Sequence, residues 1–547
     1  MRVLRLALLI GGLVGAALPA RATEVAMIGP VDPRDALVQR KPAELSLQAE
    51  AVRTALAEQQ APRSEKVIVE GVHSFYEARD FEPLWIRDGR PSAEMTALRR
   101  RLDGAAEEGL DPALYASPGL PSGTGNADAF AAADVGFSLA LVRYVTHLAT
   151  GRVGPAEISR IITLEPERPA PDQILARLSR NAAVALAVTS FEPPHAQYKA
   201  LKAKLAELRA SVAEVAQVTV PEGRLLRPGK ADARVPILRA RLSVATADIA
   251  EPDLYDDTLV EAVKAFQAES GLKADGILGP RTLFALNGPN RVDDIAAIIA
   301  NMERWRWMPR DLGDFHVFVN VPEFMVQVFD NGAMAHETRV IVGTPKNATP
   351  TFSHVIDHLV VNPFWNVPTS ILRNEMLPEI RQNPYGYFSR RGYQVLAKVG
   401  GKMRVVDPGS IDWWWVDPRS VRIRQVPGDA NALGRIKFMF PNQHSVYLHD
   451  TPTKKLFERD QRAFSHGCVR VDDPLAFADA ILKVAAPDWN SGRLEALYGG
   501  PERRINLDNP IPVHLSYFTR MVDGAGELRR FEDIYGYDRE MREVLGP

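Results

Sequence analysis

Ser465-His466-Gly467-Cys468-Val469-Arg470 is the most informative stretch of this 547-residue chain, because it holds the chain's one cysteine. Nineteen positions upstream of Cys468, a second histidine stands in Tyr447-Leu448-His449-Asp450-Thr451-Pro452. A single thiol forms no intramolecular disulfide and no cysteine metal cluster, so either chemistry or packing must explain it. A cysteine with histidines nearby is typical of an activated nucleophile, whereas an isolated free cysteine packs as a small hydrophobe.

The neighbours of Cys468 favour a nucleophile. Gly467 permits a tight turn that exposes backbone amides beside the sulfur, and His466 and Arg470 make the surroundings positive. Such surroundings lower a thiol pKa from its usual value of about 8.5, so we expect a lowered pKa here. A zinc site made by His449, His466 and Cys468 would lack a recognisable fourth ligand, so we predict no metal and no cofactor.

The N-terminus predicts export. A basic start at Met1–Arg5, an apolar run from Leu6 to Leu18 and the sequence Ala20-Arg21-Ala22 together make a secretory signal peptide over residues 1–22. Its apolar run is short for a membrane span, and we expect no later stretch long enough to cross a bilayer. A lone thiol in an oxidising compartment again favours a catalytic role.

Composition limits the partners and the domain count. Formal net charge is −2 with 24% charged residues, which gives no sign of nucleic-acid binding. The length predicts three or four domains. We interpret residues 23–63 as a disordered lead-in and residues 64–220 as a helical scaffold domain, where His73, His147 and His195 are isolated and no catalytic group emerges.

Residues 228–288 predict a small module of three short helices. Helices over 235–242 and 257–267 precede Gly271, a C-cap residue, and Pro280 begins the third. The run from Ala265-Phe266-Gln267 to Gly279-Pro280 resembles the peptidoglycan-binding domain of many cell-wall enzymes. The alternative is a helical spacer that no longer binds glycan.

From Phe315 the pattern changes to strands, which indicates a mainly β catalytic domain over residues 300–500. Asp330-Asn331-Gly332 predicts a hairpin turn. An Arg- and aromatic-rich stretch at about 372–423 predicts an insertion that caps one edge of the sheet. Three adjacent residues, Trp413-Trp414-Trp415, cannot all face one core in a strand, although a local cluster holding two of them is favoured. Residues 501–547 are expected to pack on the scaffold or catalytic domain.

The two histidine-containing motifs, with Asn362-Pro363-Phe364-Trp365-Asn366-Val367-Pro368, resemble the L,D-transpeptidase catalytic domain of the YkuD type. The order of domains is similar to that of the large periplasmic, multidomain members of this family. One departure is Val471-Asp472 after the arginine, where some relatives have asparagine. The resemblance implies a multidomain α+β protein in the Gram-negative periplasm that acts on peptidoglycan stem peptides, with other wall-synthesis proteins as further partners.

The resemblance also implies roles for single residues. Cys468 would attack the amide before the terminal D-alanine of a tetrapeptide donor and form a thioester, which an amine of meso-diaminopimelate resolves into a 3→3 cross-link. His449 would be the base, and backbone amides around His466, Gly467 and Cys468 would form the oxyanion hole. His466 could instead be the base, since it is closer in sequence. Arg470, Tyr447 and Trp365 are candidates for substrate binding, with a structural salt bridge as the alternative for Arg470.

Three other functions remain compatible with the sequence. Water as acceptor would make an L,D-carboxypeptidase, and a protein lysine would make an enzyme that anchors proteins to the wall. A non-catalytic wall-binding protein would keep only the module at 228–288, but the intact Cys468 and His449 argue against it.

Overall fold

The structure is a computed structural model that describes residues 45–60, 62, 65–121, 126–180, 183–210, 218–221, 223–245, 251–287 and 291–546. The chain from residue 47 onward is a single unit. It is multidomain α+β, as predicted, with helices first and a large sheet after them. The predicted signal peptide at 1–22, and the predicted lead-in as far as residue 44, lie outside the described residues.

Helices pack around one long central helix to form the scaffold domain. Asp134 of that helix accepts hydrogen bonds from the backbone N–H groups of Leu84, Trp85 and Ile86, at 3.1, 2.7 and 2.9 Å, and so fixes the aromatic-rich segment before it. The elements are α1 (Leu47–Ala57), α2 (Lys66–Glu77), β1 (Ile86–Arg87), β2 (Arg90–Pro91), α3 (Ala93–Asp103), α4 (Ala127–Thr150), α5 (Pro155–Ile158), α6 (Pro171–Ser179), α7 (Val184–Thr189) and α8 (Ala196–Ala210).

Two expectations about this region are wrong. Residues 47–57 are helical rather than disordered, because Ala49, Val52 and Leu56 share one face and are buried, with Val52 and Leu56 in the scaffold core. Helix α4 is also long and apolar enough to cross a membrane by length and composition, contrary to the expectation for the sequence after the signal peptide. Most of α4 is buried among the other scaffold helices, as expected of the core helix of a globular domain.

The small module has the three predicted helices, α9 (Val235–Arg241), α10 (Asp257–Glu269) and α11 (Pro280–Asn287). Gly271 follows α10 with φ +67°, which confirms its predicted place at the helix end. Helix α12 (Arg291–Trp307), which was not predicted from the sequence, follows the module and contacts the scaffold domain. Its buried Glu303 accepts from the Val153 N–H at 2.8 Å, and its buried Arg306 donates to the Glu108 carbonyl at 2.5 Å.

The catalytic region holds a nine-stranded sheet in the order β13-β5-β14-β12-β11-β6-β15-β3-β4. Strand β5 also pairs with β4, so the sheet closes on itself. The elements are β3 (Phe315–Asn320), β4 (Met325–Asp330), β5 (Ala333–Gly343), β6 (Phe352–Val361), β7 (Trp365–Asn366), α13 (Thr369–Ile371), a π-helix (Leu372–Met376), α14 (Leu377–Gln382), α15 (Pro384–Arg391), β8 (Tyr393–Val399), β9 (Lys402–Val406), β10 (Val421–Gln425), β11 (Ile436–Met439), β12 (Leu448–His449), β13 (Ala463–Ser465), β14 (Val469–Val471), α16 (Pro474–Ala485), α17 (Ser491–Glu495), β15 (Arg503–Ser516), β16 (Arg520–Val522), β17 (Leu528–Arg530) and α18 (Tyr537–Leu545).

The first part of the C-terminal segment is a strand of the catalytic sheet, whereas the chain after it packs on scaffold helices α5 and α8, as expected. Strand β15 lies between β6 and β3, antiparallel to the first and parallel to the second. Its residues Ile505, Val513 and Leu515 are buried in the same core as the strands around it. The predicted domain end at residue 500 is therefore wrong, because the sheet needs this strand to join its two halves.

The predicted insertion is a folded subdomain, which we call the cap and define as residues 365–425. Four strands in the order β7-β10-β8-β9 form its sheet, and its own hydrophobic core includes Leu372, Ile380 and Phe388. Trp413 is buried in that core, whereas Trp414 and Trp415 are 67% and 87% exposed. The favoured local cluster of two tryptophans is thus wrong, since a single one is buried.

Candidate active site

The two sequence motifs lie side by side on adjacent strands. Strands β12 and β14 run parallel with Leu448 opposite Val469 and His449 opposite Arg470. Leu448 and Val469 are fully buried in the core. Because side chains alternate along a strand, their neighbours Tyr447, His449, Cys468 and Arg470 face the other side together. Cys468 and His449 are then diagonal neighbours, a separation that long side chains span.

Hydrogen bonds hold the turn before Cys468, and one of them engages the backbone N–H of Gly467. Gly467 has φ +112°, a conformation that favours glycine. Ser465 Oγ accepts from the Gly467 N–H at 3.1 Å and donates to the Cys468 carbonyl at 2.5 Å. Thr349 Oγ1 donates to the Gly467 carbonyl at 2.9 Å. The Gly467 N–H is therefore engaged within the turn, and the turn itself is rigidly held.

The Cys468 thiol is less acidic than the sequence suggested. Burial raises its pKa to about 11, while a hydrogen bond from the Tyr447 backbone and the positive charge of Arg470 act in the opposite direction. The expected lowering of the pKa is wrong because desolvation of the thiolate outweighs the nearby positive charge. The free protein holds a neutral thiol at pH 7.

His449 is a buried, neutral imidazole with a fixed tautomer. Its Nδ1 donates to the Asp450 carbonyl at 2.5 Å, which leaves the lone pair on Nε2. Burial, with a smaller contribution from the charges of Arg470 and Lys437, lowers the His449 pKa to about 3. The buried Asp450 carboxylate has another task, because it accepts from the backbone N–H of Arg435 and from Lys454 Nζ, both at 2.9 Å. These hydrogen bonds fix the end of strand β12, which carries His449.

These values predict how the thiol reacts in the free protein. Between pH 5 and 9 both Cys468 and His449 are neutral, so the thiolate fraction grows with pH. We expect the rate of Cys468 alkylation by iodoacetamide to rise about tenfold per pH unit from pH 7 to 10, without a plateau. Arg470→Gln should move this profile to higher pH, because Arg470 lowers the thiol pKa. Rates measured by mass spectrometry that level off near neutral pH would instead indicate a preformed thiolate–imidazolium pair.

His466 faces the cap. It is exposed, and its Nε2 lies 2.7 Å from Oε1 of Glu375 in the π-helix of the cap. Trp365 also belongs to the cap, since it pairs with Gln425 in β10 and its ring lies 6.1 Å from that of Tyr393. The structure therefore groups Tyr447, His449, Cys468 and Arg470 on one face, places Trp365 at the start of the cap, and leaves His466 in contact with the π-helix of the cap.

Two functional candidates were missed at the sequence level. Glu375 gave no signal, because a single glutamate in an insertion cannot be matched to a residue 91 positions away. Lys437 alternates with the core residues Ile436 and Phe438, so its polar position could have been found from period-two spacing. It lies opposite His449 across β11 and β12. Within the described ranges, no group of three or more His, Cys, Asp or Glu side chains is arranged to hold a metal ion.

Comparison with protein families gives three matches along the chain. Residues 314–489 match the L,D-transpeptidase catalytic domain, residues 232–286 match a domain described as "Putative peptidoglycan binding domain", and residues 70–205 match a Scaffold domain. A Haemophilus influenzae protein named "Putative L,D-transpeptidase" is 38% identical over 247 residues, which cover 44% of this chain. The match spans about half, 48%, of that relative's length.

Solved structures include two L,D-transpeptidases with low similarity to this chain. One from Xylanimonas cellulosilytica is 13% identical, with a TM-score of 0.16, and covers 54% of this chain and 99% of its own. The other, from Mycobacterium smegmatis, is 10% identical with a TM-score of 0.17 and covers 37% of this chain and 58% of its own. At these scores the likeness adds nothing to the sequence matches.

Proposed function

We propose that Cys468 and His449, which lie in the region that matches the L,D-transpeptidase catalytic domain, carry out acyl transfer between peptidoglycan stem peptides. The observation that supports this most is the placement of both side chains on one face of a parallel strand pair. The product would be a 3→3 cross-link, with D-alanine released from the donor tetrapeptide.

The first half of the reaction forms the thioester. His449 Nε2 takes the Cys468 proton as sulfur bonds to the carbonyl carbon of the donor, because neither group is ionised beforehand. The Gly467 N–H already donates to Ser465 Oγ, so we assign the oxyanion contact to the Cys468 backbone N–H. The carbon–nitrogen bond then breaks, and the amine of D-alanine leaves with the proton from His449.

The second half returns the enzyme to its starting state. His449 Nε2 accepts a proton from the side-chain amine of meso-diaminopimelate as that amine attacks the thioester carbonyl. The carbon–sulfur bond breaks and the sulfur regains the proton from His449, so that one amide replaces another without redox change. The fixed tautomer supports this shuttle, since Nδ1 stays bonded to the Asp450 carbonyl.

Product analysis tests this reaction against its alternatives. The purified protein would be incubated with a disaccharide-tetrapeptide, and the products identified by mass spectrometry. We expect a 3→3 dimer and free D-alanine. A disaccharide-tripeptide as sole product would indicate a carboxypeptidase, a tripeptide joined to a protein lysine would indicate an anchoring enzyme, and unchanged substrate would indicate a binding protein.

The surrounding domains support a place for this reaction in the periplasm. The proposed signal peptide at 1–22 would deliver the protein there, and the domain at 232–286 would hold it on the wall. A spacer role for that domain stays the alternative, and binding of the full protein to isolated sacculi, with and without residues 228–288, distinguishes the two.

We expect the cap to favour the amine acceptor over water, because closure over an active site excludes water from a reactive intermediate. The cap ends lie together, since Asn366 pairs with Arg424 and Trp365 with Gln425. A short Gly-Ser link can therefore replace residues 367–423. This variant should keep Cys468 reactive to iodoacetamide but cross-link less and hydrolyse more.

A single substitution tests the contact between the cap and His466 while the rest of the cap stays in place. Glu375→Ala removes the contact with His466 and keeps the cap, so a partial shift towards hydrolysis is expected. For both cap variants, liquid chromatography measures the ratio of dimer to tripeptide.

An unchanged ratio in a folded protein that lacks residues 367–423 would contradict the role of the cap.

A further inference from the structure

A row of basic side chains crosses the sheet through the active site. Lys437, His449 and Arg470 are opposite one another on β11, β12 and β14, so they point to the same side. The row lies next to Cys468 and Tyr447, and Lys437 Nζ is 5.8 Å from the centre of the Tyr447 ring. Two cations thus flank the neutral His449 at about one strand spacing each, roughly 5 Å.

Neither cation forms an ion pair within the part of the chain that the structure describes, although the Glu502 carboxylate, beyond ion-pair distance, acts to raise the pKa of Lys437. Lys437 and Arg470 are half-buried, and Arg470 Nε is buried without a hydrogen-bond partner. Other basic residues near the site differ, since Lys454 pairs with Asp450 at 2.9 Å and Arg339 with Asp472 at 2.6 Å. Burial lowers the pKa of both Lys437 and Arg470. Half-buried charges without partners are costly, which indicates that a ligand supplies the missing anion.

We propose that Lys437 and Arg470 form a carboxylate-binding subsite beside Cys468 that takes a carboxylate of the donor stem peptide. A planar guanidinium binds a carboxylate through two parallel hydrogen bonds, and an ammonium adds charge from the other side. The subsite would fix the reacting amide relative to the thiol. This deepens the proposed function and rests on it for the identity of the peptide, but not for the anion preference.

Alkylation of Cys468 by a matched pair of reagents tests the subsite without any peptide. Iodoacetate carries a carboxylate and iodoacetamide is neutral, while both consume the same thiolate, so their rate ratio is independent of the thiol pKa. We expect Lys437→Gln to lower the ratio of iodoacetate to iodoacetamide rates roughly tenfold, an effect of the size that one charge exerts at this range. Lys437→Arg should keep most of the ratio, and added salt should lower it in the wild type.

Arg504→Gln is the matched control. Arg504 is exposed on the same face, in register with Val360 of β6, which in turn pairs with Lys437, so it lies about 10 Å from Lys437. The Arg504→Gln substitution removes one positive charge outside the subsite and should leave the ratio of iodoacetate to iodoacetamide rates unchanged. An equal ratio in the wild type, Lys437→Gln and Arg504→Gln proteins would overturn the subsite.

Peptide donors identify which carboxylate binds. Tetrapeptides amidated either at the C-terminus or at the free carboxyl of the third residue would be compared with the unmodified donor. If amidation of one carboxyl raises KM for the wild type but changes KM little for Lys437→Gln, that carboxyl is the one bound by the subsite. An anion preference in a protein that makes no dimer would overturn the proposed reaction and leave the subsite, whereas dimer formation with no preference would overturn the subsite alone.

Discussion

Replacing Cys468 by alanine is expected to abolish the release of D-alanine and the formation of dimer, a loss of roughly 10⁴-fold or more, as for other removed nucleophiles. Cys468 is the chain's one cysteine, so no second thiol can take its place. The side chain is small and partly exposed, so the variant should fold. D-alanine release and dimer formation are measured beside circular dichroism of the two proteins.

A covalent probe supports the same experiment. A carbapenem, which presents a strained acyl group to a nucleophile, should add one covalent adduct to the wild type and none to Cys468→Ala. A folded Cys468→Ala protein that cross-links at the wild-type rate would rule out the cysteine mechanism.

Replacing His449 by alanine is expected to slow acylation by about 10²–10⁴-fold, the usual cost of losing a general base. The structure supports His449 over His466, since His449 is buried on the face that carries Cys468 whereas His466 is exposed and meets Glu375 of the cap. His466→Ala is the matched control and should slow acylation less. Single-turnover release of D-alanine from the donor measures both variants.

Rescue distinguishes a base from a structural residue. Added imidazole should recover part of the activity of His449→Ala, because a small base can enter the vacated space, and should do nothing for His466→Ala. The assignment is reversed if His449→Ala acylates normally while His466→Ala loses the reaction and is rescued.

Cys468 and His449 could be proposed as a reacting pair from the sequence because the signals for them are local. Cys468 is unique, and the spacing of the two motifs was enough to match the family, which residues 314–489 confirm. The hairpin at Asp330-Asn331-Gly332 was predicted for the same reason, and Asn331 and Gly332 have φ of +48° and +80°. The catalytic roles of Cys468 and His449 stay predictions.

Features that depend on distant parts of the chain could not be predicted. Strand β15 pairs with β6, about 150 positions earlier, so its sequence alone gave no place for it in the sheet. The sign of the Cys468 pKa shift depends on burial by the folded chain, which outweighs the positive charge of Arg470 that the sequence does show. The contact between Glu375 and His466 likewise joins two segments that only the fold brings together.

Trapping of the acyl-enzyme would show whether Cys468 carries the acyl group of the donor. The protein would be mixed with a tetrapeptide donor whose diaminopimelate side-chain amine is acetylated, so that no acceptor amine is present, then quenched in acid and analysed by mass spectrometry before and after digestion. We expect an adduct with the mass of the donor minus D-alanine, located on the peptide that carries Cys468, with about one D-alanine released per adduct. Turnover of the donor by protein whose Cys468 has first been alkylated would contradict this role of Cys468.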